Sequence, residues 1–280
     1  MLTITYKDKT YSWEEWQQHY IDFAESIESH NDFLDYVSLG TMLHTYDKSY
    51  GVAVERLQAL HELLITAKFS LRNAFKKFYD SNIVMPQGGY ISHLLMRSHY
   101  LKNAIVWYNS CEDYVYQIIS LSYDIHGVEI TSPPKYKSAL KNCNYTRIKE
   151  ELIKNDSENA KTLLAMIQSY RFNEDVKYLR NNLANNLKHH ANLQFQGLAV
   201  GRPVAYTELD YKTKEVTYNS IWTESDEVDI DETIELVKRV HNLLIKFVRD
   251  IVNFIDFGDA RDADSWQVIK DKSSYRKIIF

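Results

Sequence analysis

The chain has 280 residues, 45% of them apolar, with only 8 Gly and 4 Pro, which allows a large core and favours long helices over a turn-rich β architecture. A formal net charge of −5 excludes a protein that coats nucleic acid through bulk positive charge, while leaving room for a local basic site. No window reaches the roughly 18 uninterrupted apolar residues of a spanning helix, and the opening MLTITYKDKTYSWEEW lacks the charged-then-apolar order of a signal peptide, so we expect a cytoplasmic protein with no membrane partner.

Residues 3–11 alternate β-formers around a Lys-Asp-Lys turn and predict a short hairpin. Ser12 followed by Glu15 has capping-box spacing, and the helix it opens sets Trp13, Trp16, Tyr20 and Phe23 near one face, as core. From Tyr50 to Phe78, Val54, Leu57, Leu60, Leu64, Ala67 and Leu71 recur at helical intervals. MPQGGY, residues 85–90, is the strongest punctuation in the chain and marks a boundary. Beyond it a stripe from Leu94 through Ile105, Tyr108, Cys111, Val115 and Ile118 to Ile125 predicts a third long helix, stopped by TSPPKY. Cys111 and Cys143 stand without metal-ligand spacing and read as reduced, buried small side chains.

Two shorter helices are expected near 136–153 and 157–170, and another from Asn173, an N-cap followed by Glu174 and Asp175. Val204–Leu209 and Glu215–Ile221 read as a hairpin within about 199–222. A last helix aligns Ile234, Val237, Val240, Leu244, Val248, Ile251 and Ile255. Asp259, Asp262 and Asp264 in the tail lack calcium-loop spacing and read as solvated carboxylates. His93 and His99 point to different sides of a helix and read as non-ligands. Gly-rich phosphate loops, His-Glu-x-x-His, Gly-x-Ser-x-Gly and Cys-x-x-Cys are all missing, and no metal or cofactor is expected.

Chemistry concentrates in RNNLANNLKHH, residues 180–190. At α-helical spacing Val176, Leu179, Leu183 and Leu187 form an apolar stripe, with Arg180 and His190 about 40° to either side of it. His189 points away, Asn181, Asn182, Asn185 and Lys188 take the polar side, and Asn186 sits beside His190. Asn disfavours helix interiors, so four of them call for a reason beyond filler. Arginine holds phosphate by charge-assisted hydrogen bonds, histidine moves the protons of a 2′-hydroxyl or leaving oxygen, and asparagine can donate to phosphate or orient an imidazole. The set suits RNA cleavage without a metal, and serves equally as a hydrogen-bonded network at a dimer interface.

A long helical domain carrying Arg-Asn-x-x-Lys-His late in its helix array resembles the HEPN superfamily, over roughly residues 86–256. The family's motif is an Arg, four to six residues, then a His. The resemblance implies a metal-independent endoribonuclease of toxin–antitoxin or antiphage type, acting as a homodimer with facing motifs, or else an inactive interaction module that binds a protein partner or a nucleotide. It assigns Arg180, His189 and His190 to catalysis and Asn181, Asn185, Asn186 and Lys188 to RNA contacts. Glu112 or Asp113, on the early long helix, becomes a candidate acidic partner; a Glu on an exposed helix face would otherwise be a solvated charge. An antitoxin or other protein partner is also implied.

The spacing departs from the family's: eight residues separate Arg180 from His189 and nine separate it from His190. NNLA and NNLK are near copies four apart, and removing one leaves the family's shortest spacing, as if one helical turn had been duplicated. Along a straight α-helix Arg180 and His190 would stand about 15 Å apart, so a shared site needs a second subunit or a local bulge. The expected architecture is mainly α: an N-terminal helical extension over 1–85, a HEPN-like helical bundle over 86–256 with a small inserted β-hairpin, and a tail over 257–280.

Overall fold

The computed structural model describes residues 3–33, 48–79, 89–155, 157–190, 193–198, 203–222 and 227–255, with the backbone alone described at 48–50, 190, 203–204 and 221–222. The fold is mainly helical. β1 (Thr3–Tyr6) and β2 (Lys9–Ser12) pair antiparallel. Lys7 and Asp8 at their turn both take positive φ, 45° and 63°, the twist that suits a tight two-residue hairpin. Ile4 and Tyr6 point into the core between exposed Thr3 and Thr5. Ser12 then caps α1 (Trp13–Glu25) with the complete capping box, which satisfies two backbone donors that would otherwise lack partners.

α2 (Lys48–Phe75) and α3 (Gly89–Ser122) pack along each other. α4 (Pro133–Asn142), α5 (Tyr145–Asn155), α6 (Glu158–Arg171) and α7 (Glu174–Tyr178) follow. α8 (Ile230–Ile255) lies against α2, α3 and α6. One hydrophobic core runs from Ile4 to Ile255, so it crosses the boundary expected near residue 85. Between α7 and α8, β3 (Gln194–Phe195) and β6 (Glu227–Val228) form a short parallel pair. They flank the antiparallel hairpin of β4 (Pro203–Leu209) and β5 (Val216–Trp222), whose described side chains are exposed or half-buried.

Three local expectations need correction. The helix expected over 136–153 is two helices: Cys143 leaves helical geometry at φ −84°, ψ 81°, and the Asn144 side chain restarts the winding by accepting from the Arg147 amide at 3.0 Å. The second helix ends at Phe75, where the chain turns so that Lys77 can reach Asp231 at 2.6 Å. The segment after Tyr178 is also not α-helical, as described below. MPQGGY up to residue 88 and the carboxylates Asp259, Asp262 and Asp264 lie outside the described residues.

Candidate functional site

The middle of α3 turns a buried stripe inward that includes Ala104, Tyr108, Cys111 and Val115. Glu112 belongs to it: it is 5% exposed, which decides between the acidic partner and the solvated surface charge that the sequence left open. A carboxylate survives there only with charged or hydrogen-bonding partners. Arg171, at the end of α6, donates from Nη1 to Glu112 Oε1 at 2.6 Å. Arg180 donates from Nη1 to both carboxylate oxygens at 3.2 and 3.0 Å. The Tyr116 hydroxyl, one turn along α3, donates to Oε1 as well.

Arg180 Nη2 also donates to the Arg171 carbonyl at 3.0 Å, satisfying an oxygen that the end of α6 leaves without a helical partner. The Arg171 guanidinium stacks over the Tyr145 ring, 4.2 Å from its centroid. Burial, and then the Glu112 charge, push the Tyr116 hydroxyl far above the usual phenol range. The Arg180 and Arg171 side chains keep 18% and 23% exposure, and Asp113, whose carboxyl feels Arg171, adds a second negative charge beside them.

Local winding sets the height of Arg180. α7 is capped by Asn173, whose side chain accepts from the Asp175 amide. The helix then widens to π-helical winding over Leu179–Ala184 and Asn186–His190, and the Asn185 amide bonds the carbonyl of Arg180, five residues back. Such widened turns are uncommon and recur at functional sites. At about 4.4 residues per turn, Ala184 comes round to the apolar side and is buried with Leu179 and Leu183. At α-helical spacing it would sit far from that stripe. The 100° reading of this helix is thereby corrected; among the described residues the widened turn brings no histidine to Arg180.

Of the expected site residues, Arg180 and Glu112 come together. Asn181, Asn185, Lys188 and His189 are exposed and Asn186 is half-buried; among the described residues none bonds to these side chains. The side chain of His190 lies outside the described residues. Asp113 faces outward and does not touch Arg180. Protein crowded around its carboxyl, then the adjoining Glu112 charge, raise its pKa, while Lys188 and Arg171 oppose the rise, so Lys188 shares this face. Arg171 and Tyr116 were missed in the sequence. The available signal was Glu112 itself, a carboxylate inside an apolar stripe with a tyrosine one turn away.

Arginine holds an oxyanion such as a phosphate by charge-assisted hydrogen bonds, and here Arg180 and Arg171 direct theirs to Glu112. Any proton transfer would fall to His189 or His190. Among the described residues no cluster of His, Cys, Asp and Glu is arranged to hold a metal ion, and no helix is long and apolar enough to cross a membrane. Against models of protein families, curated proteins and solved structures, the chain finds no match.

Proposed function

We propose that the chain is a metal-independent endoribonuclease of HEPN type that works as a homodimer. The observation that carries this reading is the grip of Glu112 on Arg180 and Arg171 at the foot of a π-helical segment bearing Lys188 and His189. In this scheme Arg180 and Arg171 bind the scissile phosphate, Lys188 and the exposed asparagines guide the backbone, and His189 or His190 moves the proton. Glu112 orients the arginines and offsets part of their charge, so it is a positioning residue. The test is cleavage of a mixed RNA pool in EDTA by wild type, Arg180→Lys, His189→Ala and His190→Ala, with oligomeric state measured on the same samples. Cleavage by the wild-type dimer is expected to fall about a hundredfold or more in Arg180→Lys and in one histidine variant.

A second reading, a non-cleaving interaction module, draws on one specific observation. Arg180 already donates three hydrogen bonds within the protein, and among the described residues no histidine touches it. RNA retention without cleavage by the folded dimer would favour this reading.

A further inference from the structure

At the end of the molecule formed by α1 and the chain leaving α2, Trp13, Trp16, Tyr20, Phe78 and Tyr79 line a recess of about 520 Å³. Its size falls in the range of small-ligand sites, which are mostly apolar with a few placed polar groups. The rings are held by one another: Trp13 meets Phe78 edge-on at 6.2 Å, and Trp16 is backed by Phe75 stacked at 5.3 Å.

The polar lining is small and of one sign. Lys76, exposed, is the charged residue of the lining among the described residues, with its ammonium 5.8 Å from the Tyr79 ring centroid, and Gln17 adds a neutral amide. Behind the wall, Lys77 lies 5.9 Å from the Trp16 ring centroid. It shares Asp231 with the buried Arg97, so two cations meet one carboxylate. Glu235, which accepts from the nearby Tyr6 hydroxyl, is itself met by Lys7 at 3.6 Å and Lys238 at 3.9 Å. The recess thus joins ring surfaces to a single cationic side chain among the described residues, Lys76, and a flat molecule with one anionic group matches that lining.

We propose that this recess binds a small planar aromatic anion of about nucleoside-monophosphate size, with its rings against the aromatic wall and its anionic group on Lys76. The recess is separate from the Glu112 cluster, since Arg97 and Glu112 stand about 22 Å apart along α3, and it does not depend on RNA cleavage.

The probes are AMP, adenosine and indole-3-acetate, titrated into the full chain by calorimetry and by quenching of tryptophan fluorescence. AMP or indole-3-acetate should bind saturably, which tells a nucleotide from an aromatic carboxylate. If AMP is the ligand, adenosine should bind about tenfold more weakly or worse. Lys76→Ala should weaken the anion about tenfold while Lys76→Arg retains it, and Trp13→Ala should weaken it as much, each variant being checked for wild-type circular dichroism. Failure of both anions to bind the folded protein at millimolar concentration, or binding indifferent to Lys76→Ala and Trp13→Ala, overturns the proposal.

Discussion

Glu112 on α3 and Arg180, 68 residues further along the chain, share two hydrogen bonds at 3.0 and 3.2 Å, and the same carboxylate takes Arg171 at 2.6 Å. Desolvating a carboxylate is costly, and the cost is offset here by two guanidinium groups and a phenol. Removing the carboxylate leaves both arginines facing each other without it. Glu112→Ala is therefore expected to lower stability by about 3 kcal/mol or more, and Glu112→Gln, which keeps part of the hydrogen bonding, by less. Urea unfolding with an unchanged m-value checks this; a loss below about 1 kcal/mol would mean that the cluster behaves as a surface ion pair.

A second buried group predicts acid sensitivity. His30, His61 and His241 gather where the chain after α1 meets α2 and α8, with ring centroids of His30 and His61 at 4.8 Å and of His30 and His241 at 6.2 Å. His241 Nε2 donates to the Glu28 carbonyl at 2.8 Å, which leaves Nδ1 to accept from the Tyr108 hydroxyl at 2.9 Å. The ring of His30 has no hydrogen-bond partner among the described residues. Burial pushes His30 down to about 4 and His241 down to about 3, helped by the nearby His61, Lys68 and Arg72. The unfolded chain takes up these protons near pH 6.5, so the unfolded state binds more protons below that pH. Stability is fully present above about pH 6.5 and falls as the pH drops toward 4, by up to about 1.4 kcal/mol per pH unit for each histidine. His30→Phe should remove about half of that slope in urea titrations at pH 7, 6 and 5, and a flat profile between pH 7 and 5 would exclude the histidines as its source.

What was legible in the sequence followed how local each interaction is. The capping box of Ser12 and Glu15 and the apolar stripes of α2, α3 and α8 depend on residues three or four apart, and they stand where the periodicity put them. The break at Cys143 and Asn144 was hidden because apolar spacing continues across it. Glu112 was left between acidic partner of the motif and solvated charge, because its compensation comes from Arg171 and Arg180, 59 and 68 residues away. The π-helical winding escaped a reading that assumed 100° per residue, although the near-duplicate NNLA and NNLK already signalled extra residues in the turn.

The second buried ion cluster predicts opposite outcomes for its two kinds of member. Asp231 accepts from both Lys77 and Arg97, and Lys77 is 4% exposed. Burial, then the Arg97 charge, lowers Lys77 to about 8 against the pull of Asp231. Below that pH the fold carries the cost of its charge; as the pH rises from about 8 toward 10.5 the native state sheds the proton first, and stability attributable to Lys77 increases. Lys77→Met leaves one cation on one carboxylate, so its stability at pH 7 should equal or exceed that of wild type, with the advantage shrinking by pH 9.5. Asp231→Asn strands two buried cations and should cost about 3 kcal/mol or more. Thermal and urea unfolding of both variants checks this, and equal losses from the two would contradict it.

The π-helical turn offers a test that links winding to function. The Asn185 amide reaches back five residues to Arg180, and Asn185 itself is exposed. Deleting the exposed Asn182, inside that turn, brings the Asn185 amide to four residues from Arg180, which restores ordinary α winding. Five residues at about 4.4 per turn and four at 3.6 per turn both carry the chain round by about 400°, so Lys188 and His189 keep their direction relative to Arg180 and the deletion changes the winding rather than the face. The deletion should preserve the circular dichroism spectrum and leave the melting temperature within a few degrees or higher, because an α turn replaces a less favourable one. Any RNA cleavage in EDTA should stay within about tenfold of wild type. A loss of about a hundredfold in the folded deletion variant would show instead that cleavage needs the wide turn itself.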